Sequence, residues 1–196
     1  MKAHPIQLAA IAACALVCAL PAQAHIVTYQ GTFAPEALGA TGTGSLLMEY
    51  DDEGRTLFIN AVWSGLSGTT SNAHIHCCTA SPNTGTAGVA LAQSGLLPGF
   101  PLGVQGGSYI RTIDLTQTNQ YSGAFLTASG GTAAGAEARL LANLGSGNAY
   151  FNIHSSTFGG GEIRTFVTAV TTVPEPGSLA LALAAVGLAL FVTKKR

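Results

Sequence analysis

Tyr150-Phe151-Asn152-Ile153-His154 decides the fold of this chain, because alternation sorts its side chains into two sets. Alternate residues of a strand point to the same face. Phe151 and Ile153 therefore face a core, while His154 shares the opposite side with Asn152. A second stretch, Asn72-Ala73-His74-Ile75-His76, behaves the same way: His74 and His76 project together and Ile75 faces away. Imidazole is the commonest protein metal ligand and the side chain that titrates nearest neutral pH. The sequence thus asks whether three rings from two strands meet.

Outward from these stretches the chain reads as short strands punctuated by glycine. His25 to Phe33 alternates, and Gly42 to Tyr50 leads through the acidic turn Asp51-Asp52-Glu53-Gly54 into Arg55 to Trp63, the pattern of a hairpin. Ser71 to Cys78 carries the first histidines. A glycine- and proline-rich stretch runs from Ser81 to Gly107, with only Val89 to Leu91 strand-like, and Tyr109 to Leu115 alternates again. Thr118-Asn119 caps a helix reaching about Ala128, and Thr132 caps a second through Leu144 with Gly145 as its stop. Asn148 to His154 and Glu162 to Val170 are two closing strands joined by the loop from Ser155 to Gly161. The fold class is mainly β, an antiparallel β-sandwich with one or two short helices.

Both ends read as targeting segments. Lys2 precedes the apolar run Ile6 to Leu20, and Ala22-Gln23-Ala24 fits the small-x-small rule for a signal peptidase. Residues 1–24 are therefore expected to be a signal peptide, with cleavage between Ala24 and His25. At the other end Pro174-Glu175-Pro176 precedes an apolar stretch from Ser178 to Val192 and the basic end Lys194-Lys195-Arg196. At 1.5 Å per residue that stretch reaches about 22 Å, short of a hydrocarbon core of roughly 30 Å. Flanking residues and local thinning would let it span as a transmembrane helix, with the basic end on the cytoplasmic side.

The body between, 25–172, is the size of one domain with a sizeable core. It holds four arginines, no lysine and eight acids, a formal charge of −4, and so lacks the basic patch that nucleic-acid binding requires. Its only cysteines are Cys77 and Cys78. Adjacent Cα atoms lie about 3.8 Å apart across a trans peptide, below the usual disulfide range. A vicinal disulfide, an intermolecular bridge, free thiols and metal ligation all stay open. Strand alternation places Cys78 on the face of His74 and His76.

Two resemblances follow from these residues. The order of Pro174-Glu175-Pro176, apolar tail and basic end resembles the PEP-CTERM sorting signal of Gram-negative bacteria, which implies an exosortase as partner. It also implies transient anchoring in the inner membrane through 178–192, then release to the cell envelope or extracellular matrix. Asn72 to His76, the glycine-rich middle, and Tyr150 to His154 followed by Gly160-Gly161-Glu162-Ile163-Arg164 resemble the CHRD domain, first described in chordin. That resemblance covers nearly the whole body and implies extracellular binding. A looser one, to the copper-zinc superoxide dismutase sandwich, rests on a His-x-His strand and a later histidine. Its full ligand set needs further histidines and an aspartate, and this body has only His25 left to offer.

Two functions from different classes emerge. One is a non-enzymatic binding or scaffold domain, associated with exopolysaccharide or envelope proteins. The other is a copper- or zinc-binding domain built on His74, His76 and His154, with Cys78 or His25 as further ligands. Against metal binding stands a structural arrangement in which Glu162 and Arg164, sharing a strand face, pair with the histidines across strands. No nucleophile elbow is present for hydrolase chemistry.

Overall fold

Strands form where β-branched and aromatic residues alternate with polar ones, and here they pair without exception antiparallel. A computed structural model describes residues 25–170. The signal segment, its cleavage site at Ala24, the Pro174-Glu175-Pro176 motif and the apolar stretch 178–192 all lie outside the described residues. The described residues form nine strands: β1 (Ile26–Pro35), β2 (Thr43–Asp51), β3 (Thr56–Ser64), β4 (Thr70–Cys77), β5 (Val89–Leu91), β6 (Gly107–Asp114), β7 (Ala149–Ser155), β8 (Ile163–Phe166) and β9 (Thr168–Val170). Two helices, α1 (Gly123–Ala128) and α2 (Ala133–Gly145), interrupt the series. Among the described residues no helix is long and apolar enough to cross a membrane.

The strands make one curled sheet in the order β5-β4-β7-β8-β1-β2-β3-β6, with β9 set against β1. Strand β1 makes the curl possible by belonging to both layers. Its length from Ile26 to Phe33 pairs with β2, Thr28 to Gln30 also pairs with β9, and its end at Ala34 and Pro35 pairs with β8. Gly31 sits at the handover between β9 and β8. A Cβ there would lie 2.7 Å from the carbonyl of Phe166 and run into Thr165, so glycine is what lets the layers approach.

The acidic turn does the work its composition promises. Asp51 Oδ1 accepts from the amides of Glu53 (3.0 Å) and Gly54 (3.1 Å), an Asx turn that sets β2 and β3 in register from Asp51 opposite Thr56. The first helix is shorter than its capping signals predict. Thr118 to Gln120 forms only a 3-10 turn, and Ser122, accepting from Phe125 N at 3.2 Å, is the cap. Thr132 caps α2 as expected, and the left-handed residue after that helix is Gly147 rather than Gly145. The strand expected from Glu162 to Val170 is two strands, because β8 pairs with β7 and β9 with β1. Helix α2 is tied to the β2–β3 hairpin by its buried Glu137, which takes the Tyr50 hydroxyl (2.8 Å) and the Arg55 guanidinium.

Between the layers, Phe33 meets Phe151 edge-on at 5.6 Å, and Trp63 stacks on Phe100 at 5.0 Å. Met48, Leu57, Ile59, Ile75 and Ile153 fill the rest and are fully buried. All seven residues of β7 are buried, so its outer face is also covered. Replacing Phe151 by Ala is expected to cost about 3–5 kcal/mol in urea unfolding. A cost below about 1 kcal/mol would mean that the layers do not close on this ring.

Candidate metal centre

Strands β4 and β7 are neighbours in a register that sets His74 opposite Asn152 and Asn72 opposite His154. The odd and even sets of both strands therefore coincide. Ala73, Ile75, Phe151 and Ile153 go inward, and the three histidines gather on the outer face of the same pair. The rings of His74 and His76 lie 4.5 Å apart, and those of His74 and His154 4.6 Å apart. One nitrogen from each ring falls within 4.8 Å of the other two.

Three separate loops cover this face, and each gives one carbonyl to one histidine. His74 Nδ1 donates to Gly95 O at 2.6 Å, His76 Nδ1 to Ala87 O at 2.8 Å, and His154 Nδ1 to Gly159 O at 2.9 Å. A carbonyl only accepts, so each Nδ1 carries the proton and each Nε2 keeps a lone pair, those of His74 and His154 facing each other. This is how metal-binding histidines are commonly oriented, with the far nitrogen tied to a backbone carbonyl.

Proton counting makes the site unusual. Nε2 of His154 lies 2.9 Å from Nε2 of His74. With the three carbonyl contacts this makes four close contacts that each need a donor, and three neutral imidazoles carry only three N–H groups. A fourth proton would make one ring cationic. Burial opposes that at His74, which is 5 % exposed. Desolvation pushes His74 down to about 4, with the hydrogen bond to Gly95 working the other way and the neighbouring histidines lowering it further. Burial also lowers His76. A metal cation resolves the conflict, since it accepts lone pairs and supplies the charge. Tetrahedral Zn–N bonds of 2.0–2.1 Å hold their donors roughly 3.3 Å apart, against 2.9 Å between His74 and His154 and at most 4.8 Å among all three rings.

Around the histidines stands a polar ring that the sequence signals only in part. His76 stacks on Tyr150 at 4.7 Å. Arg164 lies over Tyr150 and Phe166, donates to Gly85 O at 2.8 Å, and pairs with Glu36 at 3.3 Å. Glu36 in turn accepts from Asn152 Nδ2. Its carboxyl is raised above the ordinary range, chiefly by desolvation, although Arg164 pulls it down. Glu36 lies just past β1 in a stretch without periodicity, and no sequence signal marks it.

The other candidate residues fall elsewhere. Glu162 does not pair with Arg164; its carboxylate accepts from the amide of Ser67 and anchors the turn before β4. Cys78 is no thiolate ligand, because its sulfur is bonded to Cys77. The peptide between the two is cis, which brings their Cα atoms to 3.1 Å. His25 sits exposed before β1, its amide on Asp52, while Glu36 and the cluster lie beyond the other end of that ten-residue strand. It does not join the site.

The family model of the CHRD domain matches residues 27–167, and the PEP-CTERM protein-sorting motif matches residues 172–196. No curated protein and no solved structure matches. The likeness to copper-zinc superoxide dismutase therefore rests on the histidine pattern alone.

The buried rings make a pH dependence in the metal-free protein. His74 has a folded value near 4 against an ordinary one of about 6.5, so the unfolded chain takes up the proton first as pH falls. Stability present above pH 6.5 is lost on the way down. Between pH 6.5 and 5, above most carboxylate titration, the urea-unfolding free energy is expected to drop by roughly 1–2 kcal/mol, and less in His74→Phe. Equal slopes in the two proteins would mean that this ring is not held neutral.

Proposed function

The chain belongs to the CHRD domain family, and from that premise we propose that its body is a metal-binding domain in which His74, His76 and His154 hold one zinc or copper ion through Nε2. The single observation behind this reading is the 2.9 Å approach of two Nε2 atoms whose Nδ1 atoms are already committed to carbonyls. A purely structural cluster would leave two lone pairs facing each other in a buried place. Neutral imidazoles suit both ions, and three of them leave a fourth position open.

The PEP-CTERM motif makes this an exported, envelope-associated protein sorted by an exosortase. The finer picture is part of the proposal: a signal peptide over 1–24, a body over 25–172, and a tail over 173–196 that holds the protein at the inner membrane until processing. Display in exopolysaccharide or beside envelope proteins is where such a domain would meet its metal. The scaffold role suggested by the sequence is the setting of this activity, since a scaffold alone has no need of two buried Nε2 atoms set against each other.

Loading the purified, chelator-treated protein with zinc or copper is expected to give one ion per chain. At a hundredfold excess over Kd, binding adds about 2.7 kcal/mol to unfolding. His74→Ala and His154→Ala should lose both effects. Sub-stoichiometric metal that is the same in the variants would remove the metal reading. For sorting, Glu175→Ala is expected to accumulate in the membrane fraction, and its normal arrival in the medium or matrix would remove the motif's role.

A further inference from the structure

Asn152 is 1 % exposed, and its Oδ1 is a fully buried acceptor with no hydrogen-bond partner among the described residues. Leaving a buried polar atom unpaired forfeits its hydration with nothing in return, so such an atom needs an explanation. The rest of the amide is well held. Nδ2 donates to Glu36, whose other oxygen takes Arg164 at 3.3 Å. Gly161 closes over this contact with φ +127°, and a Cβ there would run into both the Glu36 carboxylate and the Asn152 amide.

Topology decides what lies beside the amide. Asn152 lies on β7, between β4 on one side and β8 followed by β1 on the other. Glu36 and Arg164 belong to the β8–β1 side, and they hold the nitrogen of the amide. The oxygen is not held from that side, and on the other, β4 side of the strand His74 is the cross-strand partner of Asn152. His154, two residues along β7, shares the same face. The amide therefore shares a face with the two Nε2 atoms that approach each other, and its oxygen is the part left without a partner.

The geometry points to Asn152 Oδ1 as the hydrogen-bond acceptor for the fourth ligand of the metal, and so to a site selective for proton-bearing oxygen ligands. Water, hydroxide and hydroperoxide are of that class; azide and halides are not. This rests on the metal-binding reading above. A bound water donates to Oδ1 and satisfies it, whereas an aprotic anion sets its lone pairs against those of the amide. Glu36 is the positioning residue, because a carboxylate only accepts and forbids the amide from turning over. Glutamine at that position would donate to Oδ1, release the turn, and present Nδ2 to the fourth ligand instead.

Cobalt(II) loaded into the purified protein serves as the probe, with azide titrated against its visible absorption bands. In Asn152→Leu the azide dissociation constant is expected to fall about tenfold, and in Glu36→Gln by a similar factor. The double variant should bind azide no more tightly than Asn152→Leu. With no amide left to turn, an added gain would mean that lost charge alone drives the Glu36 effect. Asn152→Asp, an acceptor in either orientation, should bind azide as weakly as the parent or more weakly. One cobalt per chain with azide constants equal within twofold across the parent, Asn152→Leu and Glu36→Gln would overturn this inference and leave the metal site standing. Failure of cobalt to bind in a His154-dependent way would overturn both.

Discussion

The structure depends on β7 having no side that meets water. Every one of its seven residues is buried, so its alternation must satisfy two interiors at once. Phe151 and Ile153 fill an apolar interior against Phe33 and Phe100, while Tyr150, Asn152 and His154 line a polar one roofed by loops. A strand pair with one wet face tolerates almost any polar residue there. This one does not, because each polar atom under the roof must find a partner or pay the desolvation penalty.

That demand explains the loops. Their glycines and prolines read as low-information sequence, yet they carry the carbonyls that fix the three rings. Ala87 and Gly95 come from the connections on either side of β5, and Gly159 from the one between β7 and β8. Because the contacts are made by backbone, side-chain identity at these positions matters less than the path of the chain. The ring orientations are held from outside, which would lower the ordering cost of any ligand that they met.

How far the sequence could be read follows the same division. The strands with histidines were legible because period-two alternation is a property of side chains, and the Asp51 turn was legible because its mechanism is local. The break at Val167 was not, since a strand that changes partners looks continuous in one dimension. Glu36 was invisible for want of periodicity, and its union with Asn152 spans 116 positions. His25 and Cys78 were reasonable ligands by type. The length of β1 carried one away, and Cys77 consumed the other.

The bond between Cys77 and Cys78 closes a loop with no residue inside it. A cross-link restrains an unfolded chain more the longer the loop it encloses, and this one encloses no residue. The domain therefore travels to an oxidising compartment without drawing its cohesion from oxidation. Its permanence after export rests on the curled sheet and its packed aromatic interior.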